Sequence, residues 1–323
     1  MNITMIRAAA ERAAGHIPKT PLLRSPGLDA LAGRPIWVKA EALQITGSFK
    51  ARGGWSAVSA LPADIRCHGV IAFSSGNHAQ GVAYAVRAFD VPAVILMPSD
   101  APLAKINGTK ALGAEVILYD RQTEDRDALG TALATDRNLT LIRPYDDPQV
   151  IAGQGTVGLE IATQATAIGV TQADMLVCCG GGGLTSGIAL ALEADAPGLR
   201  VRPVEPVDFD DVCRSLRSGR IERNARMAGS ICDAIITPQP GNLTFPILQR
   251  LCGPGLAVPD DDCLRAMAAA FSHLNLVLEP GGAVALAAAL FHADQPAGDP
   301  IIVVASGGNV DPAMFSRALE LIR

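Results

Sequence analysis

Apolar and polar positions follow two rhythms along this chain. Short apolar runs, most of them β-branched and many ending at small or turn residues, predict strands. They are PIWVKA, GVIAFSS, AVILMP, AEVILY, LTLIRP, DMLVCC, LRVRPVEP and PIIVVAS. Helical stretches lie between them, over residues 77–88, 102–112, 125–136, 149–166, 184–195, 260–274 and 281–292. The opening MNITMIRAAAERAAGHIP reads as a short amphipathic helix. Such β-α alternation predicts an α/β protein with open, mostly parallel twisted sheets, not a barrel of eight regular units. No linker or internal repeat marks a domain boundary.

Composition supports this picture and narrows the partners. With 49% apolar and only 4% aromatic residues, the chain suits helices packed on buried parallel sheet. Its 323 residues are enough for two modest domains or one large one. A net charge of −5 without any Lys/Arg cluster argues against nucleic acid and anionic membranes. No apolar run approaches the ~18 residues of a membrane span, and no secretory cleavage pattern is present. The seven cysteines form no C-x-x-C, and Cys178 and Cys179 adjoin inside an apolar run, as buried reduced thiols of a cytoplasmic protein would.

Four glycine-bearing turns border strand candidates, where open α/β sheets collect ligands. CCGGGGLTSG, residues 178–187, joins a strand to a helix. Four consecutive glycines let backbone N–H groups converge, and the helix start adds partial positive charge, so an anion the size of one phosphate fits there. The same turn also resembles a dinucleotide-binding loop, with Glu205 as the ribose ligand of a nicotinamide-dependent oxidoreductase. FSSGNHAQG, residues 73–81, offers Ser74, Ser75, Asn77 and His78 at a helix start, more than an ordinary cap needs. VASGGN, residues 304–309, places Ser306 and Asn309 at a strand end. ALQITGSFKARGG, residues 42–54, reads as a turn that sets Lys50 among small residues, where an amine suits a Schiff base to an aldehyde cofactor.

In order and nearly end to end, TPLLRS, VKAEALQITGSFKARG, SSGNHAQG, APLAKINGTKALGAEV, VIAGQGTVGLEI, CCGGGGLTSG, VEPVDFDD, LEPGGAVAL and SGGNVD resemble the fold-type II pyridoxal-phosphate enzymes of the serine/threonine dehydratase and serine racemase family. The resemblance outweighs the nicotinamide reading. It implies that Lys50 holds the cofactor and later moves the α-proton. Phe49 would lie near the ring, Asn77 on the ring hydroxyl, and Ser306 on the ring nitrogen. Gly180, Gly181, Gly182, Gly183 and Leu184 would hold the phosphate, with Gly241 against the ring. Ser74, Ser75, Asn77 and His78 would receive the substrate carboxylate, and Ser75 would serve the opposite face of Cα. Glu205, the Phe209 carbonyl and Asp211 would bind Mg²⁺ or Ca²⁺; as plain residues, the acids read equally as a charged helix start.

The resemblance implies β-elimination from L-threonine or L-serine to a 2-oxo acid and ammonia. Serine racemase and 3-hydroxyaspartate dehydratase are the alternatives, and a non-catalytic sensor is a more distant one. TPQPGNLTFPI and LEPGGAVAL depart from the racemase pattern, and a hydroxyaspartate would need an added cation for its second carboxylate. The last helix ends at Arg323 without an effector domain, which suits a catabolic role. The implied architecture is a large domain of residues 1–68 and 147–323 and a small, mobile domain of residues 69–146, in a homodimer.

Overall fold

The computed structural model describes residues 1–322 apart from 75, 102, 121–122 and 293–299. Among these, the strands are β1 Leu22–Leu23, β2 Ile36–Ala40, β3 Val70–Phe73, β4 Ala93–Pro98, β5 Glu115–Tyr119, β6 Thr140–Ile142, β7 Ala173–Cys178, β8 Leu199–Pro206, β9 Leu256–Val258 and β10 Ile301–Ala305. They form two sheets, ordered β1-β2-β10-β7-β8-β9 and β5-β4-β3-β6. Every pairing is parallel except β1 with β2. Strands β3, β4, β7 and β10 are buried along their whole length, as parallel strands covered on both faces must be. Edge strand β5 instead exposes Glu115 and Leu118.

The larger sheet packs on helices that include Gly183–Asp195 and Pro280–Phe291. The core of the smaller sheet also takes in Ala51, Trp55 and Val58 of helix Lys50–Ala60. That helix corrects the expected turn through residues 50–54. Its two internal glycines cost about 1 kcal/mol each against alanine, and close packing is the reason they are there. A Cβ on Gly54 would come within 2.5 Å of the Gly81 backbone, and one on Gly53 would crowd Val150 and Gln154. The helix of Gly54 and the helix of Gly81 therefore touch main chain to main chain.

A cluster of four charges fastens this helix from beneath. Arg52 is 3% exposed, and its guanidinium grips both oxygens of buried Glu41 at 2.8 Å. It also reaches Glu160, on helix Pro148–Ala167, at 2.7 Å. Lys39, wholly buried, donates to Glu160 at 2.6 Å, to the Thr20 carbonyl at 2.7 Å and to Gln164 at 3.0 Å. Two cations and two carboxylates cancel, so no uncompensated charge lies in this cluster.

Breaking that balance is costly. Arg52→Met leaves Glu41 buried without its cation and lowers stability by about 3–5 kcal/mol. Removing the exposed Arg24–Asp29 pair with Arg24→Ala costs no more than about 1 kcal/mol. Urea midpoints of the two variants check the difference.

Candidate active site

Three strand ends and three helix starts meet at a single cavity. Phe49 and Lys50 line it beside Ser74, Asn77, His78, the glycine loop, Leu184 and Ser306. The backbone brings the first and last of these together. Ser48 bridges Gly307, the Phe49 N–H donates to the Ser306 carbonyl at 3.1 Å, and the Gly308 N–H donates to that of Gly47 at 2.9 Å. Gly47 makes the turn at φ 72°, and a Cβ there would collide with Asn309.

Lys50 is the first residue of its helix. Its Nζ donates to the Pro144 carbonyl at 2.7 Å and stands 5.2 Å from the centre of the Phe49 ring. Burial disfavours the ammonium and lowers the pKa from 10.5 to about 8.

The glycine loop runs from β7 into helix Gly183–Asp195, with Gly182 at φ 93°. Side chains have no room in it. A Cβ on Gly181 would enter the Tyr145 ring, and one on Gly180 would sit 2.7 Å from the Ile235 carbonyl oxygen. The Gly181 carbonyl is held by Thr244 Oγ1 at 2.6 Å and by the Gly241 N–H at 3.1 Å. Gly241 thus braces the loop and lines a neighbouring cleft with Tyr145 and Asp146. The first-turn N–H groups of the helix have no intrahelical acceptor, which is the property an anion needs.

Asn77 begins helix Asn77–Phe89 and is fixed at both ends of its amide. Its Nδ2 donates to Glu279 and its Oδ1 accepts from Asn309 Nδ2 at 2.8 Å. His78 is 2% exposed, with Nε2 at 3.3 Å from the Ile142 carbonyl. Burial, then the charge of Lys50, pushes its pKa down to about 3. The ring is therefore neutral near pH 7 and offers no positive charge to a carboxylate. The Ser74 hydroxyl accepts from the Gly76 N–H at 3.0 Å. Ser75 lies outside the described residues.

Glu205, Phe209 and Asp211 lie away from this cavity. Glu205 is fully buried and accepts the N–H groups of Val212 at 2.9 Å and Cys213 at 2.7 Å, capping helix Asp211–Ser218. Buried and with both oxygens engaged by this cap, Glu205 does not present itself to a ribose. Asp211 accepts from Asn224 through Oδ1, while its buried Oδ2 has no partner among the described residues. No group of three or more His, Cys, Asp or Glu suited to a metal occurs among the described residues.

Sequence reasoning missed Lys105, Arg126, Gln154, Cys178 and Glu279, which line the same cavity. Lys105 Nζ lies 3.7 Å from Glu279, and its stem covers Gly76, where a Cβ would meet it at 2.6 Å. Arg126 stacks over Phe73 with its guanidinium 5.1 Å from the ring centre. Lys105 and Gln154 stand inside the quoted APLAKINGTKALGAEV and VIAGQGTVGLEI, but only folding reveals that they share this space.

Comparison with known proteins agrees with the fold. Residues 13–307 match the family described as pyridoxal-phosphate dependent enzyme. An L-threo-3-hydroxyaspartate ammonia-lyase from Pseudomonas sp. is 41% identical over 97% of this chain and 96% of its own. One from Saccharomyces cerevisiae is 40% identical over 97% and 94%. The crystal structure of a T.th. threonine deaminase superposes with a TM-score of 0.90 at 42% identity, covering 96% of this chain and 99% of that one.

The lowered pKa of Lys50 has a direct readout. Only the neutral amine attacks a carbonyl, so the rate at which Lys50 captures an aldehyde rises with pH through about 8 and then levels off. Imine absorbance followed against pH checks this, and an ordinary lysine would still be rising toward about 10.4.

Proposed function

The chain belongs to the pyridoxal-phosphate dependent enzyme family, and we propose that it eliminates water from a β-hydroxy α-amino acid, ending in a 2-oxo acid and ammonia. One observation carries this reading: the part-neutral amine of Lys50 and the glycine loop at a helix start open into one cavity. The residues also fit the cofactor by their unmet bonding. Gln154 is fully buried on the cavity wall, and neither end of its amide is hydrogen-bonded among the described residues.

Bound there, pyridoxal phosphate supplies an aldehyde for amines and a ring that draws electrons from the substrate Cα. Lys50 first holds the cofactor and, once freed, takes the α-proton; its low pKa suits a base near neutrality. The N–H groups of the 180–184 loop face the phosphate. Asn77, immobilised by Glu279 and Asn309, meets the ring hydroxyl. Ser306 would meet the ring nitrogen and Phe49 would flank the ring, while Gly241 supports the loop from behind. Ser74, Asn77 and His78 receive the substrate carboxylate through neutral hydrogen bonds.

The cavity wall favours a substrate with a second carboxylate. Lys105 and Arg126 are two cations on it, with side chains 19% and 33% exposed. Glu279 and Asp127 already stand 3.7 Å and 3.5 Å from them; L-threonine and L-serine have no second carboxylate to bring to these cations, whereas L-threo-3-hydroxyaspartate does. The relatives from Pseudomonas sp. and S. cerevisiae bear that activity in their names. We therefore place 3-hydroxyaspartate ahead of threonine and serine.

The cation site belongs to the same proposal. Glu205 and Asp211 both have carboxyl pKa values raised by burial, and Glu205 is raised further by the Asp211 charge. Mg²⁺ or Ca²⁺ held by these two, the Phe209 carbonyl and waters would neutralise the pair and use the bare Asp211 Oδ2. For assembly and location the proposal is a cytoplasmic homodimer in amino-acid catabolism, in which a small domain of residues 69–146 closes over the substrate. All seven cysteines are free thiols, which suits a reducing compartment. Among the described residues no helix is long and apolar enough to cross a membrane.

Purified protein should be yellow, and Lys50→Ala should lose both that absorption and oxo-acid production; a colourless active enzyme overturns the mechanism. In the same assay Arg126→Ala lowers kcat/KM for L-threo-3-hydroxyaspartate by about 10- to 100-fold, as loss of a charged hydrogen bond does, but changes L-serine and L-threonine little. Equal losses for all three remove the substrate assignment. Adding Mg²⁺ or Ca²⁺ to chelator-treated protein raises its Tm, by about 1.4 kcal/mol of stability at tenfold excess over Kd. Asp211→Asn abolishes the rise.

A further inference from the structure

Cys178 closes β7 and Ser306 follows β10, and these strands pair in parallel, Val303 opposite Leu176. Their side chains therefore end side by side at the cavity, 3% and 4% exposed. The Cys178 thiol donates to Ser306 Oγ at 3.1 Å. A serine hydroxyl has one hydrogen to give and two lone pairs to receive. The thiol fills one lone pair, and burial raises its pKa to about 11, so it keeps its hydrogen at neutral pH. The Ser306 backbone is engaged elsewhere, with its N–H on the Gly282 carbonyl at 3.3 Å and its own carbonyl accepting from Phe49 at 3.1 Å. The hydroxyl hydrogen has one direction left, into the cavity.

We propose that Cys178 is a positioning residue whose thiol commits Ser306 to donate its hydrogen bond to the ring nitrogen of the bound cofactor. The inference rests on the reading in which Ser306 faces that nitrogen. A nitrogen that accepts a hydrogen bond is using its lone pair and so carries no proton. The ring then withdraws electrons weakly, which favours prompt loss of the β-hydroxyl over return of a proton to Cα. Cys178 thus sets the balance between elimination and racemisation without touching substrate.

The test uses cofactor-loaded wild type, Cys178→Ser, Cys178→Ala and Ser306→Ala. Two quantities are read: the absorption spectrum of the bound cofactor against pH, and the ratio of racemised to eliminated L-serine. Cys178→Ser keeps a donor and stays within about twofold of wild type in the ratio, while Cys178→Ala raises it about threefold or more and moves the spectrum. Ser306→Ala moves both at least as far. If Ser306→Ala moves both while Cys178→Ala matches wild type, the inference is overturned and the Ser306 reading stands. If Ser306→Ala moves neither, the Ser306 reading fails and takes the inference with it. Equal changes in Cys178→Ser and Cys178→Ala indicate packing instead of hydrogen bonding and also overturn it.

Discussion

Arg52 lies two residues beyond Lys50 on the same helix, and carboxylates from two distant parts of the chain close around its guanidinium. Glu41 follows β2, Glu160 belongs to helix Pro148–Ala167, and Lys39 completes the charge balance from inside β2. A bidentate guanidinium contact fixes direction as well as distance. The start of helix Lys50–Ala60 is thereby held against the larger sheet, and the Lys50 amine is delivered to the Pro144 carbonyl and the glycine loop. Buried ion clusters of this kind add little net stability over apolar packing, so their use here is placement.

The same economy of charge governs the cavity. Burial brings the Lys50 amine toward neutrality, neutralises His78 and keeps the Cys178 thiol protonated. Cationic charge is kept at the wall, in Lys105 and Arg126. Neutral groups thus surround the Lys50 amine, and the cations stand farther out.

Much of the fold was legible because a buried parallel strand is an uninterrupted apolar run. AVILMP coincides with β4, and LRVRPVEP with β8 although two arginines and a glutamate interrupt it. The very short β1 and β9 carry too few residues to show a pattern, and helix Lys50–Ala60 was hidden by Gly53 and Gly54, which look like a turn but serve helix contact. In the site, Lys50 stood out as a lysine among small residues, and Asn77, Ser306 and the glycines because their turns border strand candidates. Glu279 did not, since its contact with Asn77 spans 202 residues of sequence. Cys178 was visible only as part of an apolar pair, and its hydrogen bond to Ser306 depends on the register of two strands that no local pattern reveals.

The contact of Gly54 with Gly81 gives the site a built-in gauge. A Cβ on Gly81 would reach within 2.5 Å of the Lys50 carbonyl oxygen, so the two helices rest on peptide groups with nothing between them. Their spacing is then a property of main-chain dimensions, which are the same in every protein. The start of helix Lys50–Ala60 is thus registered on helix Asn77–Phe89 at a point where no side chain stands between them.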